Sequence, residues 1–229
     1  MKTRSALTFA SLAIVVGLLA APAIAQTSPD AAEARANVPG YKLGAPGLKR
    51  SPVSLEDFDK LKQSVLFTDE DVKYLHMAGA IMVPQTDKIL DVWYGFVGGH
   101  PFLAYYFSDK ATGKLDPAYL GRVRGRFGRW IKDTTDANYD QQWLDYQYEI
   151  GVRHTKAGKN KTDGAHSSAQ VDYRYIPAFV VPISATVEPF LTSSGKSPED
   201  VKKMMAAWNK AVTLQAILWS YPYIKPGQF

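Results

Sequence analysis

The segment WLDYQYEIGVRH, residues 143–154, carries Trp143, Gln147, Ile150 and His154 at spacings that form one stripe of a helix. The histidine closes that stripe, just before the basic, glycine-bearing loop KAGKNKTDG. A neutral imidazole held by a rigid helix against an aromatic interior is what a haem iron needs as its proximal ligand. A lone histidine at a helix end more often serves as a charge partner for the C-terminus or as a packing residue. The choice between these readings rests on the rest of the chain.

The other histidines are His76, His100 and His166. No two of the four have the i,i+4 spacing of a helical zinc site, and no HExxH occurs. A hydrolytic triad is unsupported, because there is no GxSxG and no histidine has an evident nucleophile partner. No Gly-rich phosphate loop follows a strand. His166 lies in a polar loop, His100 precedes a proline in a turn, and His76 sits on an amphipathic helix. The remaining single-histidine chemistry is a cofactor site, and haem is the cofactor that needs only one such ligand. The block DVWYGFVGGHP supplies a second set of groups. Trp93 and Tyr94 adjoin there on a helix that an apolar ring system could face, and the Tyr94 hydroxyl can donate to a bound diatomic ligand. The commoner fate of such aromatics is core packing.

The elements that must position these groups read as helices almost without interruption. Ser54 with Asp57, and Thr68 with Asp71, are capping boxes that open two amphipathic helices. Pro84 divides the second from a helix over residues 85–97. Pro117 starts a helix through Trp130, with Leu120, Val123, Phe127 and Trp130 on one face and Arg122, Arg126 and Arg129 on another. The helix ending at His154 comes next. Residues 171–191, with Pro177, Pro182 and Pro189, read as a kinked buried helix. Ser197-Pro198-Glu199-Asp200 opens a last helix to about Ser220. With no βαβ alternation or repeat, the fold class is all-α, with seven or eight helices.

The ends and the composition bound the rest. Lys2 and Arg4, an apolar run from Leu7 to Leu19 and the triplet Ala23-Ile24-Ala25 predict a signal peptide over residues 1–25, cleaved before Gln26. The run is shorter than the roughly 20 residues that span a bilayer, and no other segment reads as apolar enough to cross one. The expectation is an exported chain, periplasmic or secreted, with no membrane association after cleavage. Residues 26–52 read as an extended arm and 53–229 as one domain. There is no cysteine, so disulfides and thiolate metal sites are excluded. Without Lys2 and Arg4, two of the 27 basic residues set against 22 acidic ones, the formal charge falls from +5 to +3. That charge is too mild and dispersed for nucleic-acid binding.

DVWYGFVGGHPFLAYYF, RGRFGRWIKDTTDANYDQQWLDYQYEIGVRH, DYRYIPAFVVPISATVEPFL and LQAILWSYPY, in that order, resemble the protoglobins, the single-domain branch of the globin-coupled sensor lineage. The resemblance runs from Val38 to Phe229. It implies a globin fold with an extra N-terminal helix and an extended N-terminal arm, binding haem b between helices. It also implies a homodimer formed largely by the last two long helices. Residue by residue, it makes His154 the proximal iron ligand and the metal ligand of the chain. Trp93, Tyr94 and Phe127 fall on the distal side, and Phe179 and Ile183 complete the cofactor pocket. Arg126, beside Phe127, is a candidate partner for a haem propionate, set against a solvated arginine face.

The chain departs from its relatives in places. Thr155 and Thr135 stand where some of them have histidine and cysteine, Pro84 and Pro177 interrupt helices, and the signal peptide departs from relatives that are typically read as cytoplasmic. No methyl-accepting or cyclase output segment follows the globin blocks. The function expected is reversible binding of O₂, CO or NO, for binding or sensing. The alternative is a haem enzyme turning over peroxide, peroxynitrite or NO, with slow peroxidase or NO-dioxygenase-like activity expected of any accessible haem. With no evident distal histidine, acid–base cleavage of peroxide would rest on Tyr94 or Trp93, which are poor proton shuttles.

Overall fold

The computed structural model describes residues 38–225 and 227–229, and these form an all-helical fold. The expected signal peptide and the arm as far as residue 37 lie outside the described residues. The helices are α1 (Leu55–Ser64), α2 (Asp69–Met82), α3 (Thr86–Gly98), α4 (Pro101–Ala104), α5 (Pro117–Asp136), α6 (Gln141–His154), α7 (Tyr175–Ala178), α8 (Val180–Thr192) and α9 (Pro198–Ser220). Among the described residues the only β pairing is an isolated antiparallel bridge between Ser108 and Leu115.

The capping residues sit where they act. The Ser54 hydroxyl accepts from the Asp57 N–H at 3.0 Å, and the Asp71 carboxylate accepts from the Thr68 N–H at 2.7 Å, closing the reciprocal box. Asp116, Asp140 and Ser197 cap α5, α6 and α9 in the same way. Pro84 falls in a 3-10 turn, Val83–Gln85, that separates α2 from α3. The helix begun at Pro117 runs to Asp136, past Trp130. It ends at Ala137, whose φ of 51° is left-handed.

α9 is the axis of the fold and packs against α2, α5, α6, α7 and α8. Its Met204, Ala207, Trp208, Ala211, Leu214 and Gln215 are all buried. α2 crosses α5 closely at Gly79. A Cβ there would stand 2.7 Å from the Thr135 hydroxyl, so only glycine fits. Trp130 donates through Nε1 to Gln215 Oε1, and Gln215 Nε2 donates to Thr134 Oγ1 at 3.1 Å, so the buried amide of α9 satisfies α5.

The proline-rich segment is helical but broken. Pro182 has no N–H to offer the carbonyl of Ala178, four residues earlier, and α7 ends at Ala178. α8 then continues through Pro189 to Thr192. The expectation that no segment beyond the leader could span a bilayer needs correction. By length and composition alone, Tyr175–Thr192 meets the measure of a bilayer-crossing segment. In the fold its Ile183, Val187 and Leu191 are buried, and α8 packs against α2, α3 and α9.

The described part of the arm, from Val38, is tied down by side chains. Tyr41 donates to Asp133 Oδ2 at 2.7 Å and meets Tyr146 edge-on at 5.3 Å, while Arg129 lies 4.8 Å over its ring. Gly40 has a φ of +78°. A Cβ on it would stand 2.6 Å from Thr162 Cγ2 and 2.8 Å from Arg126 Nη1.

Candidate functional site

A cavity of about 210 Å³ opens between α3, α5, α6 and α8. His154, Trp93, Tyr94, Phe127, Phe179, Ile183 and Arg126 all border it. α6 delivers His154 because its buried side, Trp143, Leu144 and Gln147, fixes the rotation of the helix. Beyond the helix the His154 carbonyl accepts from the Val171 N–H at 2.8 Å and from the Tyr223 hydroxyl at 2.9 Å.

The imidazole is oriented from both sides. Nδ1 lies 2.8 Å from the carbonyl of Ile150, which can only accept, so Nδ1 carries the proton and Nε2 keeps its lone pair. The Trp219 ring stacks on it, centroids 5.6 Å apart and 20° from parallel. Trp219 is itself held by donating to Gln147 Oε1 at 2.8 Å. Burial pushes the His154 pKa down to about 4. The Ile150 bond opposes the shift, and the positive charges of Lys159 and Arg153 reinforce it. The ring is therefore a neutral base at neutral pH.

Trp93 forms the hub of an aromatic wall. It meets Phe127 at 5.6 Å and Phe179 at 5.5 Å, both edge-on. Phe179 reaches this position because it occupies the break between α7 and α8. The Tyr94 ring lies 6.5 Å from Phe127, and its hydroxyl has no protein partner among the described residues. Burial raises the Tyr94 pKa further, so the hydroxyl stays protonated.

The remaining rim is polar. Arg126 spends its fork on Asp163, at 2.6 and 3.0 Å, and on the Pro39 carbonyl at 2.9 Å. Arg122 also reaches Asp163, at 3.1 Å. The Lys159 ammonium is buried. It donates to the Tyr106 carbonyl at 2.9 Å and the Tyr119 hydroxyl at 3.2 Å. Burial pulls its pKa down to about 8 against the attraction of Asp163. Arg153 donates through Nε to Glu149 at 2.9 Å and through Nη1 to the Gly40 carbonyl at 2.7 Å. Among the described residues its Nη2 is buried without any partner.

Arg153, Lys159 and Trp219 were not singled out by the spacing argument. Arg153 sits beside His154 and has Glu149 one turn back, but that is also the pattern of a solvated helix pair. Lys159 lies in a loop that reads as exposed. The other histidines stay away from the cavity. His76 is exposed, 3.0 Å from the Asp136 carbonyl; His100 bonds the Phe96 carbonyl at 2.7 Å; and His166 bonds Asp109 at 3.0 Å. Among the described residues no group of three or more His, Asp or Glu is placed to hold a metal ion.

Comparison with known proteins agrees with this architecture. The chain is similar in fold to the globin domain of the Geobacter sulfurreducens globin-coupled sensor, with a TM-score of 0.57 and 16% identity over 73% of this chain and 97% of that one. No curated protein matches the chain. The Protoglobin family model matches residues 54–229, a family whose membership implies haem binding. A globin-like helical fold around a single histidine-bearing apolar cavity, matched by that model over most of its length, places this chain in the protoglobin family.

Proposed function

We propose that this protein holds haem b in the cavity at His154 and reversibly binds O₂, CO or NO there. The observation that carries the reading is the His154 environment: a neutral, desolvated base with Nδ1 committed to Ile150 and Nε2 free, bordering a largely apolar cavity. The chain's groups fit such a cofactor. The apolar walls suit a macrocycle, and the unpaired Arg153 Nη2 suits one of its carboxylates. Arg126 borders the cavity but already holds Asp163, so Arg153 is the better propionate partner and Arg126 a support for the rim. When bound, the cofactor supplies an iron at which diatomic gases coordinate. His154 holds it, Trp93 and Phe127 exclude water, and the unpartnered Tyr94 hydroxyl is free to donate to a gas ligand.

The alternative, turnover of peroxide, peroxynitrite or NO, needs a proton donor and acceptor beside the reacting ligand. Among the described residues His154 is the only histidine on the cavity wall, and Tyr94 is held protonated, which favours binding over turnover. The deciding experiment is an optical spectrum of the ferrous protein with and without CO, repeated on His154→Ala. The wild type should give a CO-sensitive Soret band. The variant should lose the native ferrous spectrum and regain it with imidazole. An unchanged spectrum in the variant overturns the assignment of His154.

We extend the proposal to export and assembly. Cleavage before Gln26 would place the protein in the periplasm or medium, and mass spectrometry of chain from its host should find Gln26, or its cyclised form, at the N-terminus. A homodimer would use the outer face of α8, where Val181 is 73% exposed and Ala185 is exposed, with Pro177 and Ala178 of α7 exposed beside them, together with α9. Val181→Asp should then shift the chain from dimer to monomer in equilibrium sedimentation.

A further inference from the structure

Arg153 faces two ways. Its side chain is only 10% exposed and borders the cavity. Nε is held by Glu149 and Nη1 by the Gly40 carbonyl of the arm, while Nη2, buried, has no acceptor among the described residues. A buried guanidinium N–H left unpaired is costly, because its full desolvation penalty stands uncompensated. Charge at this end of the cavity is also unbalanced. Arg122, Arg126, Arg153 and Lys159 are met there by Asp163 and Glu149, so positive charge is in excess. A carboxylate entering through the cavity would answer both conditions.

The same guanidinium fixes the arm. The carbonyls of Pro39 and Gly40, consecutive in sequence, are held by Arg126 and Arg153 at 2.9 and 2.7 Å. The arm's own backbone bonds nearby are turn bonds, Tyr41 N–H to the Val38 carbonyl and Ala45 N–H to the Lys42 carbonyl. Its place on the domain therefore depends on side chains, chiefly these arginines and the Tyr41–Asp133 bond.

We propose that Arg153 binds a carboxylate of the cofactor through Nη2 and so locks the arm closed over the loaded cavity through Nη1. The proposal rests on the haem reading above. With Nη2 unpaired, the side chain can swing toward water and release the Gly40 carbonyl. A carboxylate on Nη2 fixes the planar fork and keeps Nη1 on the arm. Arg153 is thus a cofactor-binding residue and a positioning residue for the arm at once.

Limited trypsin digestion of the full chain reads the arm directly, because Lys42 is an exposed arm residue and its cleavage tracks arm opening. Three states are compared: cofactor-free, loaded with haemin, and loaded with haemin dimethyl ester, which lacks the free carboxylates. Loading is checked by the Soret band. Haemin should slow cleavage at Lys42 by about tenfold, the scale of one charge-assisted hydrogen bond, and the ester by less than about twofold. Arg153→Gln loaded with haemin should behave like the ester complex of the wild type. The ester comparison stands even where that variant folds poorly. Equal protection by haemin and its ester, or full protection in Arg153→Gln, overturns the coupling while leaving haem binding intact. A chain that gives no Soret band with either compound overturns the haem reading and the coupling together.

Discussion

The Nδ1 of His154 donates to the carbonyl of Ile150 one turn earlier in the same helix, at 2.8 Å. The bond selects the tautomer, and burial keeps the ring neutral down to about pH 4. The sign of the resulting pH dependence follows from linkage. An unfolded histidine titrates near 6.5, so between about 6.5 and 4 the unfolded chain holds a proton that the folded chain does not. Folding stability at this site is complete above 6.5 and is lost as pH falls. Cofactor-free wild type should lose about 2 kcal/mol more than His154→Gln between pH 7 and pH 5, measured by urea denaturation. Parallel losses in the two proteins would show that the ring is not desolvated.

Tyr94 tests the distal side. Its hydroxyl lacks a protein partner, and a net hydrogen bond is worth roughly 0.5–1.5 kcal/mol. Tyr94→Phe should speed O₂ release about two- to tenfold and change CO release less, because bound CO carries less charge. Stopped-flow dissociation of both gases gives the answer, and no change in either rate makes Tyr94 a packing residue.

Gly40 tests the arm. Gly40→Ala places a methyl 2.6 Å from Thr162 Cγ2 in a left-handed backbone, which costs about 1–2 kcal/mol before any clash is relieved. The arm, rather than the core, should give way. Hydrogen exchange should rise in residues 38–45, with little change in the buried amides of α9.

Gln215 tests the core. Its amide accepts from Trp130 Nε1 and donates to Thr134 Oγ1. Gln215→Leu keeps the approximate volume but strands the indole N–H, and an orphaned buried donor costs about 1–3 kcal/mol. A midpoint in urea within error of wild type would mean that water replaces the amide.

The helices were legible in the sequence because their signals are local. Ser54, Thr68 and Ser197 each open a helix through bonds within one turn, Pro117 opens one with a φ already fixed for the helix, and the 3.6-residue periodicity marks the buried face without reference to any partner. The place of His154 was legible for the same reason, as the last residue of the α6 stripe, while a ligand role for it is what the family resemblance implies. The seven residues that the sequence and its family resemblance point to border one cavity, although they come from α3, α5, α6, α8 and the break before α8.

What the sequence could not determine is the polar end of that cavity. Arg126 reads as a free cation until Asp163, 37 residues later, folds back onto it at 2.6 Å. Lys159 reads as a loop lysine until Tyr106 and Tyr119 enclose it. Arg153 reads as half of a helical pair with Glu149 until the Gly40 carbonyl, 113 residues away in sequence, takes Nη1 and leaves Nη2 buried and unpaired. Periodicity and capping are properties of neighbours along the chain. Desolvation and unpaired charge arise only when distant segments close around a group, so the sequence by itself determined the helices and the place of His154 at the end of one, and the tertiary structure decided which cations face the cavity and which of their N–H groups are left unpaired.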